Sequence, residues 1–191
     1  MAGALEIVDE YNVTSAVSSV ILGGGSSGSS GLNVSIDSTY DTYFVTGSGI
    51  VHSTGGSGQA CYLRWTVSGS EDTTSNTKQW AQRAMYSNSS QSFESRFYTS
   101  NYTELTLQDG GAEAPGENSC FYLYLNLFAD STRGSALTVH SVIDQFDGAR
   151  VHSRLGGALD TTAQACDGIK IFGHSSTTFN AGTFRLFGLA N

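Results

Sequence analysis

The stretch Cys61-Tyr62-Leu63-Arg64-Trp65-Thr66-Val67-Ser68 decides the fold. Its odd positions carry Cys, Leu, Trp and Val, and its even positions Tyr, Arg, Thr and Ser. That period of two is what a strand with one buried and one wet face requires, whereas a helix would repeat its apolar residues every three to four positions. The same alternation recurs in Phe121–Phe128, where Phe121, Leu123, Leu125 and Leu127 share one face. There the opposite face holds Tyr122, Tyr124 and Phe128, so this strand is expected to be covered on both sides. Leu137-Val139-Ser141-Ile143 and Phe184-Leu186 against Arg185-Phe187 extend the pattern. Weaker runs lie at Leu5–Tyr11, Ala16–Leu22, Tyr40–Val45, Trp80–Tyr86, Phe93–Tyr98, Glu104–Leu107, Arg150–Leu155 and Gly168–Phe172. About ten to twelve short strands separated by Gly, Ser, Thr, Asp and Asn clusters predict an all-β, antiparallel β-sandwich or jelly-roll-like fold. Gln79–Met85 also fits one helical turn through Trp80, Arg83 and Ala84, but its neighbours favour a strand.

Composition points the same way. Charged residues are 14% of the 191, against roughly 25% in ordinary globular domains. Polarity comes instead from 28 Ser and 19 Thr beside 23 Gly, residues that disfavour helix interiors. The segment Gly23-Gly24-Gly25-Ser26-Ser27-Gly28-Ser29-Ser30-Gly31 has the composition of a linker or mobile loop. It divides the chain into an N-terminal strand pair or anchoring arm at 1–22, a Gly/Ser-rich loop or linker at 23–35, and a β-sandwich domain at 36–191.

The net charge of −8 and the scattered arginines exclude the basic stripe that nucleic-acid binding needs, so no nucleic acid is expected as a partner. No window approaches the ~20 apolar residues of a membrane span, so no membrane insertion is expected. The start Met1-Ala2-Gly3-Ala4-Leu5-Glu6-Ile7 lacks the basic n-region and apolar run of a signal peptide, so synthesis in the cytoplasm is expected.

Cys61, Cys120 and Cys166 are odd in number and lack CxxC or Cys/His spacing, so no metal or other cofactor is expected. Cys61 and Cys120 lie in apolar alternation and read as small buried thiols. Gly24-x-Ser26-x-Gly28 and Gly23-x-Gly25-x-x-Gly28 match a nucleophile elbow and a dinucleotide fingerprint in form only. Neither has the strand–turn–helix setting that its chemistry demands. His140, on the face opposite Val139, lies near His152, Asp144 and Asp147, and reads as a surface or inter-subunit histidine. His52 and His174 sit beside turns with no evident partner. Asp109, Glu113 and Glu117 lack EF-hand spacing and read as a solvated acidic loop. No nucleophile, base and orienter fall together, so no catalytic residue is assigned. Tyr86, Tyr98 and Tyr102, with Asp109, are the candidate glycan or interface contacts, since amphipathic aromatics serve either purpose.

Two further stretches resemble one family when taken in order. Ile36-Asp37-Ser38-Thr39-Tyr40-Asp41-Thr42-Tyr43 is similar to the "IDSTYDxY" segment of small virion structural proteins of tailed bacteriophages, marine and cyanobacterial phages among them. Cys166-Asp167-Gly168-Ile169-Lys170-Ile171-Phe172, followed by Phe179 to Leu189, resembles that family's closing pattern. With Ala2–Glu6 and Val17–Leu22 the resemblance spans nearly the whole chain, and Gly23–Ser35 stands out as an insertion. The resemblance implies a β-sandwich particle component located in the virion, with no catalytic residues to carry over. Such components take fibre, tail or capsid-surface positions, and the resemblance does not choose among them; a tail-associated fibre or appendage is the position expected here, with capsid decoration as the alternative. The expected partners are other virion proteins and further copies of the chain, a homotrimer being common for β-rich fibres. A lectin-like module for host surface glycans is the rival from another class. A glycosidase would need paired carboxylates ~5–9.5 Å apart, for which only Asp144 and Asp147 lie close together near a histidine.

Overall fold

The computed structural model describes residues 4–53, 61–74, 77–87, 90–105, 118–126, 128–145, 150–174 and 177–189. Within the strands the side chains at 83, 85–87, 90–92, 94, 96, 98, 118, 143–145, 150–152 and 154 are not part of that description. The described residues form thirteen strands: β1 (Leu5–Asn12), β2 (Ser19–Gly23), β3 (Thr42–His52), β4 (Cys61–Val67), β5 (Ser70–Glu71), β6 (Thr77–Ser87), β7 (Ser90–Ser100), β8 (Thr103–Glu104), β9 (Asn118–Asn126), β10 (Gly134–Gln145), β11 (Arg150–Ala163), β12 (Gly168–Gly173) and β13 (Phe179–Leu189). Eight of them build a large antiparallel sheet in the order β1-β13-β3-β9-β10-β11-β6-β7, and β2-β12-β4-β5 form a smaller one in which β8 also pairs with β4. The chain is thus an all-β antiparallel sandwich.

Alternation places the core between the sheets. The large sheet turns Tyr43, Val45, Phe121, Leu123, Leu125, Leu137, Val139, Phe184 and Leu186 inward, and the small sheet answers with Val20, Leu22, Leu63, Trp65, Ile169 and Ile171. Trp65 meets Phe128 edge-on, with ring centroids 5.2 Å apart. Phe128 therefore belongs to this core and lies beyond β9, whose described outer residues Tyr122 and Tyr124 stay exposed. The double coverage expected for β9 is not supplied by the described residues. In β4 the wet face is partly covered instead: Tyr62 and Thr66 are buried.

The two motif stretches, far apart in sequence, meet at one place. The Asp167 backbone carbonyl accepts hydrogen bonds from the Ile36 and Gly24 N–H groups, each at 2.7 Å. Its carboxylate accepts from Thr66 Oγ1 and the Gly69 N–H, also at 2.7 Å. The Asp37 carboxylate caps the Thr39 N–H at 2.8 Å, and Tyr43 Oη donates to the Asp37 carbonyl at 2.9 Å. Tyr40 then lies edge-on to Tyr43 and covers Gly188, where a Cβ would stand 2.4 Å from the Tyr40 ring. These residues buttress the junction between sheets. Asp167→Ala is expected to cost about 2–4 kcal/mol, since it strands a buried donor and loses charge-assisted bonds. A denaturant midpoint equal to wild type would remove Asp167 from this role.

The first 22 residues supply one strand to each sheet, β1 against β13 and β2 against β12. The Gly/Ser segment that follows is folded. The Gly25 N–H donates to the Val34 carbonyl, the Ser29 N–H to the Ile21 carbonyl, and the Gly23 N–H to the buried Asp9 carboxylate. The positive φ of Gly23, Gly24 and Gly25 makes this path available only to such residues. Composition suggested mobility, but tertiary hydrogen bonds from Asp9 and Asp167 hold the segment.

Candidate functional site

What the sandwich leaves uncovered is the outer face of the eight-stranded sheet. Its registers align one residue from every strand into a row: Ile7 opposite Phe187, then Phe44, Tyr124, Thr138, Gly157, Trp80 and Phe97. Adjacent strands lie ~4.8 Å apart, so residues in such a row touch. The Phe44 ring sits 4.9 Å from Tyr124 and 6.0 Å from Phe187. At the other end Phe97 is 86% exposed, Phe93 69% and Trp80 42%. Leu155 and Leu159 of β11 are also exposed on this face. Isolated apolar residues on a surface are ordinary, but six of the eight positions in this row, all but Thr138 and Gly157, are apolar or aromatic, and such a patch marks an interaction surface.

Polar groups punctuate the row. His140 pairs with Tyr122 across β10 and β9, its Nδ1 lying 3.0 Å from Tyr122 Oη and its Nε2 3.2 Å from Ser153 Oγ. Both ring nitrogens are thereby engaged, which fits a fixed surface histidine. Near the β1 edge Arg185 pairs with Glu10. The guanidinium, helped by Asn12, holds the Glu10 carboxyl below its usual range. Two hollows indent the face. One of about 360 Å³ is lined by Lys78, Trp80, Phe97, Thr138, Gly157 and Leu159, and exists because Gly157 puts no side chain in the row. The other, about 320 Å³, lies among Phe44, Thr46, Cys120, Tyr122, His140 and Val142. Cys120 is thus an exposed thiol, contrary to the buried one expected. The parity of β9 puts it on the outer face beside Tyr122. Cys61 and Cys166 are the buried pair, and burial pushes the Cys166 thiol up to about 12.

Tyr102, one of the residues singled out from sequence, lies elsewhere. Tyr102 is stacked on Tyr62 with centroids 4.3 Å apart, and its carbonyl accepts a 2.7 Å bond from Gln79 Nε2. It closes a satellite cluster on the small sheet, where Tyr62 also meets Phe172 and His174 and burial pushes the Tyr62 phenol up. Tyr102 packs in that cluster, and His174, expected to lack partners, belongs to it as well. His52 is buried against Phe179 at 5.2 Å, with Cys61 Sγ 4.0 Å from its Nε2. Its position at the inward end of β3 overrides the turn beside it. Tyr86 lies on β6 and Tyr98 on β7, their side chains outside the described residues. Asp109, Glu113, Glu117, Asp147 and the side chains of Asp144 and His152 also fall outside them. Among the described residues no three His, Cys, Asp or Glu come together to hold a metal, and no helix is long and apolar enough to cross a membrane. The signal for the exposed row was present in the aromatic second face of Phe121–Phe128. Alternation shows that a face is apolar, but not whether the chain itself covers it.

No family model and no curated protein matches this chain. Among solved structures, a mutant of the GH43 protein BlXynB from Bacillus licheniformis is similar over 78% of this chain and 28% of its own, at 10% identity and a TM-score of 0.36. The PL-14 alginate lyase from Aplysia kurodai is similar over 81% of this chain and 70% of its own, at 8% identity and a TM-score of 0.32. The lectin UEA-II, complexed with galactose, covers 92% of this chain and 99% of its own at 10% identity, with a TM-score of 0.23. At such scores none of them bears on function.

Proposed function

We propose that this chain is a non-enzymatic structural component of a tailed-phage particle, a tail-associated fibre or appendage unit, held there through the outer face of its large sheet. The observation that carries the reading is the aromatic row, which no part of the described chain covers. The motif order supports it, because the residues behind the family resemblance act as buttresses. Capsid decoration is the alternative position, and immunogold labelling of intact particles separates the two. Leu155 tests the face itself, being 53% exposed in the middle of the sheet. Leu155→Glu is expected to leave the thermal midpoint within a few degrees of wild type. It is expected to lower incorporation into particles at least tenfold, because a charge buried without a partner costs several kcal/mol. Full incorporation would refute burial of this face in the particle.

One observation favours a second reading, a lectin-like module for host glycans. The hollow at Gly157 is walled by Trp80 and Phe97, with Lys78 and Thr138 as polar contacts, a composition suited to a sugar ring. A glycan array with wild type and Trp80→Ala decides it. Reproducible binding lost in the variant would establish this reading, and silence would leave the structural one.

A further inference from the structure

The two edges of the large sheet are built differently. Edge strand β1 carries a bulge between Ile7 and Asp9, points the Asp9 carboxylate inward, and bears Glu6 and Glu10. These are devices that keep an edge from pairing with another chain. Edge strand β7, eleven residues at the opposite end, has no bulge, and its two charged residues, Glu94 and Arg96, are of opposite sign. It pairs with β6 in unbroken register from Ser87↔Ser90 to Thr77↔Ser100, and contains neither proline nor lysine. A long, regular edge that displays Phe93 and Phe97 is a template for another strand.

The sequence of β7 names that strand. Ser90-Gln91-Ser92-Phe93-Glu94-Ser95-Arg96-Phe97-Tyr98-Thr99-Ser100 is partly symmetric about Ser95, the pairs Gln91/Thr99 and Ser92/Tyr98 excepted. Ser90 answers Ser100, Phe93 answers Phe97, and Glu94 answers Arg96 with the opposite charge. We infer that β7 pairs antiparallel with β7 of a second copy about a two-fold axis at Ser95, fusing two eight-stranded sheets into one. A two-fold contact must be self-complementary, each residue meeting its counterpart in both directions. This register puts position 94 of each copy opposite position 96 of the other, a glutamate against an arginine twice. Moving the centre by one residue either way sets Glu94 against Glu94 or Arg96 against Arg96, and like charges directly opposite destabilise a pair. Backbone hydrogen-bonding groups alternate along an antiparallel strand. Each residue here meets one an even number of places away, so the groups that β7 does not share with β6 face each other. A two-fold axis perpendicular to the sheet keeps its faces. Phe97 of one copy then lies beside Phe93 of the other, and the exposed aromatic row continues across the joint.

This inference goes beyond the particle reading and does not depend on it, since it is measured on the isolated chain. A two-fold joint builds a dimer, where the resemblance led to an expected trimer. Sedimentation velocity of the wild-type chain is expected to show a species of twice 20.2 kDa. Glu94→Arg alone and Arg96→Glu alone are each expected to raise the dissociation constant at least tenfold, by placing like charges opposite each other twice. The double swap Glu94→Arg with Arg96→Glu restores complementarity and is expected to restore the dimer. Phe97→Ser, at an exposed position, is expected to weaken it about tenfold or more. Circular dichroism and thermal melts check that each variant is folded. A monomeric or trimeric wild type, or a dimer indifferent to both single swaps, would overturn the inference.

Discussion

Phe184→Ala is expected to destabilise the chain by about 3–5 kcal/mol, the range for deleting a buried phenylalanine. Phe184 is fully buried on the inner face of β13, with its ring 5.4 Å from Phe179 and 6.3 Å from Phe121. Its strand neighbours in register are Tyr11 and Gly47, so the vacated space is framed by backbone and closes poorly. For a domain of this size each kcal/mol moves the thermal midpoint by about 2–4 °C, so a fall of roughly 10–15 °C is expected by calorimetry. A melt matching wild type would overturn the assignment of the core. The same variant is expected to fail to enter particles, because too little folded chain would be available.

The second large effect is acid lability from a neighbour in the same aromatic cluster. Burial holds the His52 imidazole neutral, lowering it to about 4 from an ordinary 6.5. Its Nδ1 has no hydrogen-bond partner among the described residues. Protonation is thus disfavoured in the folded chain and unhindered in the unfolded one. The stability tied to His52 is complete above about pH 6.5 and is lost as pH falls toward 4, where the folded form also takes up the proton. Between pH 7 and pH 4.5 the loss is about 2–3 kcal/mol. Carboxylates add their own acid dependence below that window, so the comparison is with His52→Gln, which cannot titrate. Denaturant midpoints at the two pH values should differ less in the variant by that amount. An equal loss in both proteins would show that His52 is not the acid-sensitive group.

Most strands were legible because alternation is a local property. β4, β9, β10, β12 and β13 each announce a buried face in their own residues. Lengths were harder to read. β3 runs on to His52 through Gly47, Ser48 and Gly49, where its apolar period lapses and its register shifts against β9. β11 continues to Ala163 past Gly156 and Gly157, which look like a break but lie flat against β6 and β10. The two-residue strand β5 leaves no periodic trace at all. The Gly/Ser segment after β2 reads as a linker or mobile loop for a different reason: the hydrogen bonds that hold it come from Asp9 and from Asp167, outside any local window.

The candidate face was half legible. Tyr122, Tyr124 and Phe187 were seen as apolar or aromatic second faces. Their alignment with Trp80 and Phe97 into one row follows only from registers between distant strands. Tyr102 reads from sequence as an amphipathic aromatic free to meet a ligand or a partner, and the ring of Tyr62 that stacks on it lies on a distant strand.

The central claim is that the outer face of the large sheet is buried in a virus particle, and Cys120 offers a direct reading of it. This thiol is exposed in the chain alone and lies in the hollow between Phe44 and His140. Maleimide labelling followed by mass spectrometry, on the isolated protein and on purified particles, compares the two states. The account predicts rapid labelling of Cys120 in the isolated chain and strong protection in the particle, with Cys61 and Cys166 slow in both. Equal labelling of Cys120 in the two states, or absence of the chain from the particles, would contradict it.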